Sequence, residues 1–281
     1  MTATAQIGQL AVPGATLHYE VRGSGPALLL IAGGGGDAGY YTPIADLLAD
    51  EFTVITYDRR GNSRSPLSGP PRDLVMAEQN ADARALLDAV AGGRGIVFGN
   101  SGGAVIGLDL AARAPEGIAA FILHEPPITD VLPDAATWQR FFAELQTTHQ
   151  RDGWYAAWEK FAATIGQEPR QPAAGGGQAW DEATFARVGG NLEFLLAHEV
   201  APFTAFTPDL TRIRARGARV IFAGGVKSRP YYYCRAGKIL AEQLGAEYVE
   251  FPGHHNGYLD HPEAFAATLR ATLRRVGNDA A

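Results

Sequence analysis

The run Gly95-Ile96-Val97-Phe98-Gly99-Asn100-Ser101-Gly102-Gly103-Ala104 restricts its own local structure more than any other part of the 281-residue chain. Three apolar, β-compatible residues lead into glycines clustered around one serine, and the helix-compatible stretch 104–113 follows. That order is a strand, a forced turn and a helix. Gly99-x-Ser101-x-Gly103 is the G-x-S-x-G pattern, in which a serine on a strained strand-to-helix turn raises its hydroxyl above a sheet. Glycine two residues to either side removes β-carbons that would collide in so tight a turn. Glycine occupies 34 of 281 positions, so the pattern alone has a high chance rate, and the flanking strand and helix give it weight.

The rest of the chain alternates around this unit. Residues 9–12 and 16–21 interleave polar and apolar side chains about Pro13-Gly14, as an antiparallel hairpin with one wet face requires. Residues 27–32 are apolar without interruption, the mark of a strand covered on both faces, and run into Gly33-Gly34-Gly35-Gly36. The pattern predicts a helix over 40–49, a strand over 52–57, a helix over 73–91 stopped by Gly92-Gly93, and a strand over 119–125 ending at Pro126-Pro127. From 128 to 213 no buried-strand run occurs. Aromatic residues recur there at helical spacing, interrupted by a loop over 168–178 that carries Gly175-Gly176-Gly177. A strand over 219–223, a helix over 231–244, a strand over 247–251 and a helix over 262–275 then resume the alternation. This predicts an α/β fold: 1–127 and 214–281 form a mostly parallel sheet flanked by helices, and 128–213 form an inserted helical cap.

Composition narrows the partners. A net charge of −6 offers no basic footprint for nucleic acid or for an anionic membrane surface. The first residues lack the basic and apolar regions of a signal peptide and no apolar run reaches membrane-spanning length, so a cytoplasmic protein with no membrane partner is expected. The single cysteine, Cys234, excludes an intramolecular disulfide and a multi-cysteine metal site, and it reads as a structural thiol. The histidines lack ligand spacing such as H-x-x-x-H; no metal and no cofactor are expected.

A serine hydroxyl becomes a useful nucleophile only when a base takes its proton and a third group fixes that base. Ligand sites in open parallel sheets lie beyond the carboxyl ends of the strands, which directs the search there. His254 and His255 follow the last strand directly. The strand 219–223 is followed by Gly224-Gly225-Val226-Lys227-Ser228-Arg229, without a carboxylate, whereas the strand 119–125 ends on Glu125. Glu125 is therefore the candidate acid, with Asp130 as competitor. His124 and Glu125 are neighbours on a strand, so at most one of them points at the site. An oxyanion needs backbone N–H donors: Gly102 directly after the serine supplies one, and Gly34 in the glycine run is chosen for the other. No role is evident for Asn100.

Taken together these residues resemble the α/β-hydrolase superfamily over nearly the whole chain. The order Ser101, Glu125, His255 matches that fold's nucleophile, acid and histidine. Asp58-Arg59-Arg60-Gly61-Asn62-Ser63-Arg64-Ser65 is similar to the family's D-x-R-G-x-G-x-S loop, with Asn62-Ser63 at the x-G step. The family places its histidine seven residues before a proline, which fits His255 and Pro262 and decides against His254. Two departures stand out. The usual His-Gly before the oxyanion residue is Ala32-Gly33, which implies loss of a supporting hydrogen bond. The acid follows the sixth strand, and His124-Glu125-Pro126-Pro127 is similar to the His-Glu-x-Pro of zearalenone lactonases.

The resemblance implies a serine hydrolase of a carboxylic ester or lactone of a hydrophobic small molecule, acting through Ser101, His255 and Glu125 with Gly34 and Gly102 as oxyanion donors. Cap aromatics such as Trp138, Trp154 and Trp158 are the candidate substrate contacts. Carbon-carbon bond hydrolysis on the same triad is the alternative, and a non-catalytic ligand-binding protein of this fold is a third reading. Haloalkane dehalogenase and epoxide hydrolase chemistry needs a carboxylate nucleophile, which the serine excludes.

Overall fold

Eight strands form one sheet in the order β1-β2-β4-β3-β5-β6-β7-β8. They are β1 Gln6–Val12, β2 Ala15–Arg22, β3 Ala27–Ile31, β4 Thr53–Tyr57, β5 Gly95–Asn100, β6 Ile118–His124, β7 Val220–Gly225 and β8 Glu247–Phe251. The computed structural model describes residues 4–113, 115–165 and 181–278; the loop expected over 168–178 lies outside them. β1 and β2 pair antiparallel, β2 joins β4 antiparallel, and every other pairing is parallel.

The uninterrupted apolar runs have a direct cause. Along β3, Leu29 and Ile31 enter one buried cluster with Leu86, Val105 and Leu240, while Leu28 and Leu30 enter a second on the opposite face with Ile44, Phe265 and Leu269. Helices on both faces leave no position of β3 open to water, so the alternation seen in the hairpin is absent here.

The helices in chain order are α1 Thr42–Leu48, α2 Met76–Ala91, α3 Gly102–Arg113, α4 Ala135–Asp152, α5 Trp154–Thr164 and α6 Glu182–Gly190. Then come α7 Leu192–Phe194, a π-helical turn Leu195–Glu199, α8 Val200–Thr204, α9 Leu210–Arg216, α10 Tyr232–Leu244, α11 Gly257–Asp260 and α12 Pro262–Asn278. The helix expected over 40–49 is a 3₁₀ turn, Ala38–Tyr41, followed by α1; Asp37 caps the turn by accepting from the N–H of Gly39 at 2.7 Å. α2 starts three residues later than the spacing suggests, because the N–H of Leu74 donates to the carbonyl of His198 instead of entering the helix. Among the described residues no helix is long and apolar enough to cross a membrane.

All described helices from α4 to α9 lie between β6 and β7. Phe142, Phe161, Leu195 and Val200 of this segment share a third apolar cluster with Tyr232 and Tyr233 of α10. Ile213 of α9 enters the cluster beneath α3 instead.

Candidate active site

Ser101 joins β5 to α3 in the left-handed region, with φ 56°. Its N–H donates to the carbonyl of His124 at 2.9 Å, and its own carbonyl accepts from the N–H groups of Ala104 and Val105 at 2.9 and 3.2 Å. The turn is thus tied to β6 on one side and begins α3 on the other. The two motif glycines are needed for space rather than for dihedral freedom. A β-carbon on Gly99 would overlap the Gly103 carbonyl, and one on Gly103 would overlap the carbonyl oxygen of Ile31 in β3. Backbone cannot yield as a side-chain tip can. Gly103→Ala is accordingly expected to destabilise the protein by about 3 kcal/mol, read as a lower urea midpoint; an unchanged midpoint contradicts this packing account.

His255 stands in the loop after β8, and its Nδ1–H donates to Glu125 Oε2 at 2.6 Å. The carboxylate can only accept, so the hydrogen is on Nδ1 and Nε2 keeps its lone pair. The other carboxylate oxygen accepts from the N–H of Gly225 at 2.7 Å. β7, which neighbours β6 in the sheet, therefore supplies a backbone donor to the Glu125 carboxylate. Glu125 is completely buried and has φ 54°. Burial pushes its carboxyl up, but the imidazoles of His124 and His255 and the Gly225 N–H outweigh it and hold the group below the ordinary carboxylate value. Asp130 is elsewhere, accepting from Gln139 at 3.0 Å and from Thr207 at 3.3 Å. His254 pairs with Asp260 at 2.8 Å.

Ser101 and His255 open onto one cavity of about 710 Å³ including its mouth. Its floor carries Gly34 and Asn100, and its walls are largely apolar: Trp158, Phe161, Leu195, Phe203 and Tyr232. Gly102 opens α3, where the first N–H groups of a helix have no partner within it. Leu195 packs over Gly34 and Phe203 over Gly102, leaving no room for a side chain at either glycine. Of the three tryptophans expected to meet substrate, only Trp158 lines the cavity. Trp138 packs tilted against the Tyr232 ring, with centroids 4.3 Å apart, and Trp154 lies at the surface against Tyr155. Helical spacing identifies an apolar stripe, but not which members of the stripe sit behind others.

A family model described as alpha/beta hydrolase fold matches residues 26–173. An uncharacterized hydrolase of Bacillus subtilis (strain 168), YraK, is 35% identical over 274 residues, covering 95% of this chain and 96% of its own. This chain belongs to the α/β-hydrolase superfamily. Solved structures share the fold as well. A membrane phospholipase A described as a bacterial virulence factor has a TM-score of 0.75 at 21% identity, over 98% of this chain and 87% of its own. A thermophilic esterase from Thermogutta terrifontis has a TM-score of 0.74 at 20% identity, over 97% and 99%.

Behind the site of this α/β hydrolase lies a polar network that the sequence did not announce. His124 Nδ1 bonds Asn100 Oδ1 at 2.7 Å, and Asn100 Nδ2 donates to the Tyr258 hydroxyl at 3.3 Å. Asn100, immediately before the serine, thus has a structural task. His124 Nε2 has no hydrogen-bond partner among the described residues, and the imidazole packs against the rings of Phe251 and Phe265, with centroids 5.6 and 5.5 Å away. Burial pulls this histidine down from 6.5 to about 4. The unfolded chain takes up a proton near 6.5 that the folded one refuses until about 4, so stability falls as pH drops through that window, by about 3 kcal/mol in all. Glu125 acts lower still, because a carboxyl depressed below 4.5 loses its contribution only under more acidic conditions. Urea unfolding across pH 4 to 6.5 is expected to show the slope, with His124→Gln flattening it; equal slopes in both proteins would exclude His124 as the cause.

A second network joins the helical insert to the loops after β3 and β4. Arg59 and Glu199 are both fully buried and form a forked pair at 2.7 and 2.8 Å, with Asn62 Nδ2 donating to Glu199 at 3.0 Å. Asn191 holds the Gly35 carbonyl at 2.7 Å and accepts from the N–H of Ser63, which stands at φ 49° where the family loop carries glycine.

Proposed function

We infer that this α/β hydrolase cleaves a carboxylic ester or lactone of an apolar small molecule, with Ser101 as nucleophile, His255 as base and Glu125 as the group that fixes it. The observation that carries the reading is that Ser101 and His255 share one apolar cavity while Glu125 occupies the far nitrogen of His255. His255 Nε2 takes the hydroxyl proton as Ser101 Oγ bonds to the carbonyl carbon. The carbonyl electron pair moves to oxygen, where the N–H groups of Gly34 and Gly102 receive it. The C–O bond to the leaving group breaks and His255 returns the proton to the alkoxide; an open-chain ester releases its alcohol, whereas an opened lactone keeps its hydroxyl arm tethered to the acyl group on Ser101. Water, deprotonated by the same imidazole, then bonds to the acyl carbon, the bond from that carbon to Ser101 Oγ breaks, and His255 returns its proton to Oγ as the acid leaves.

The helical insert over 128–213 acts as the cap that selects the acyl part, and its apolar lining favours a hydrocarbon or aromatic group there. The esterase from Thermogutta terrifontis is compatible with this chemistry on the same fold. The glutamate at the end of β6, the feature similar to zearalenone lactonases, supports including lactones beside open-chain esters. Turnover of p-nitrophenyl esters from acetate to octanoate, with a set of lactones alongside, tests the reading. kcat/KM is expected to rise about fourfold per added methylene until the cavity is filled. Folded protein that turns over no ester and no lactone contradicts it.

A further inference from the structure

The peptide joining Gly33 to Gly34 departs from the family pattern in its surroundings: no histidine precedes it, and an arginine from another loop holds it. In a trans peptide the carbonyl of one residue and the N–H of the next point in opposite directions, and no peptide among the described residues is cis. Whatever holds the Gly33 oxygen therefore aims the Gly34 N–H. Arg59 holds it: Nη2 donates to the Gly33 carbonyl at 2.8 Å and Nε to the Ala32 carbonyl at 3.0 Å. The backbone adds two bonds, Gly36 N–H to the Gly33 carbonyl at 3.1 Å and Arg59 N–H to the Gly36 carbonyl at 2.7 Å.

The guanidinium is itself held from the insert. Its two terminal nitrogens reach both oxygens of Glu199 at 2.7 and 2.8 Å, with no solvent access to either side chain. Glu199 ends the π-helical turn that begins at Leu195, and Leu195 packs directly over Gly34. One turn of the insert thus touches the Gly34 peptide twice, through an apolar contact above it and through Arg59 behind it. The phenyl ring of Phe203, which packs on Gly102, also lies 5.3 Å from the Arg59 guanidinium. π-helical turns recur at functional sites, where an inserted residue re-aims side chains.

We propose that Arg59 and Glu199 are positioning residues that set the oxyanion hole: Arg59 aims the Gly34 N–H by holding the Ala32 and Gly33 carbonyls, and Glu199 makes that aim depend on the seating of the helical insert. This rests on the reading of Ser101 as an acyl-transfer nucleophile. The pair provides the support that Ala32, standing where the family carries histidine, does not. Its effect is confined to the state in which negative charge sits on the carbonyl oxygen, so it acts on kcat and not on ground-state binding.

Removing one partner alone leaves a buried charge unpaired and risks the fold. The test therefore uses the double variant Arg59→Met/Glu199→Leu, which keeps the volume apolar, and Arg59→Lys, which keeps the charge opposite Glu199 but cannot reach both carbonyl oxygens. Thermal unfolding, p-nitrophenyl butyrate kinetics and inhibition by phenylboronic acid, whose tetrahedral serine adduct puts an oxygen in the oxyanion position, are read on each. In the double variant kcat is expected to fall about 10- to 100-fold with KM within about threefold, and boronic acid affinity to fall in step with kcat. Arg59→Lys gives the same split at smaller size.

A folded double variant with wild-type kcat and boronic acid affinity overturns the proposal, as does a shift of KM and kcat together with unchanged boronic acid affinity. If the double variant does not fold, Arg59→Lys decides alone, and its failure to fold assigns the pair to stability and overturns the aiming role. Wild-type protein that neither turns over the ester nor binds the boronic acid removes the parent reading and this one together; active wild type with unaltered variants removes only this one.

Discussion

Ser101→Ala is expected to lower kcat for p-nitrophenyl butyrate by about 10⁶-fold, the scale on which a triad nucleophile acts. The loss is confined to chemistry. The hydrogen bonds that build the turn run through the N–H and carbonyl of residue 101, not through its hydroxyl, and remain in the variant. The apolar cavity is unchanged too, so KM for the residual reaction stays close to that of the wild type. A companion variant separates strain from catalysis. Ser101 is held at φ 56°, a conformation that glycine adopts without strain, so Ser101→Gly is expected to be as inactive as Ser101→Ala but more stable by about 1 kcal/mol. Comparison of the two urea midpoints measures what the turn stores. Activity within tenfold of wild type in either variant would remove Ser101 from the mechanism.

The second large effect concerns the acid. Glu125→Gln is expected to reduce kcat by about 10⁴-fold, because it reverses the tautomer of His255. The geometry dictates which way the new amide turns. The N–H of Gly225 must meet an acceptor, so the amide oxygen takes the position now held by Oε1, and the NH₂ group faces His255 Nδ1. Nδ1 is then forced to accept, the hydrogen moves to Nε2, and the nitrogen that should receive the serine proton is already protonated. Asp130→Ala, altering an exposed residue whose carboxylate accepts from Gln139 and Thr207, leaves kcat unchanged. If Glu125→Gln keeps kcat within tenfold of wild type, Glu125 does not fix the base, and a different group must be sought around His255.

Much of this architecture is legible in the chain because one physical rule writes it. Strands covered on both faces become continuous apolar runs, so β3, β5 and β7 can be read directly, and a serine flanked by glycines announces the turn between β5 and α3. The position of Glu125 follows from a strand end and a proline pair. Less legible is everything set by tertiary contact. Glu199 is an ordinary acidic residue in a helical stretch, and only the fold brings it, 140 positions along, to Arg59. Asn100 and His124 meet because β5 and β6 run in parallel register with these two residues opposite each other. Trp138 and Trp154 are the same residue type as Trp158, but Trp138 meets Tyr232 of α10, and it is Tyr232 that lines the cavity. A signal for the Arg59 network did exist. Ala32 in place of the family's histidine leaves the loop after β3 without a side-chain donor at that position, and a second arginine beside Arg60 in the loop after β4 donates to the Ala32 and Gly33 carbonyls instead.

The central claim, that Ser101 is a nucleophile activated by His255 and Glu125, is met most directly by covalent capture. Wild-type protein treated with a fluorophosphonate and digested for peptide mass mapping is expected to carry one adduct, on Ser101, formed quickly in the wild type, far more slowly in Glu125→Gln, and not at all in Ser101→Ala. Folded wild-type protein that gains no adduct, or a Ser101→Ala variant labelled as fully as wild type, would contradict it.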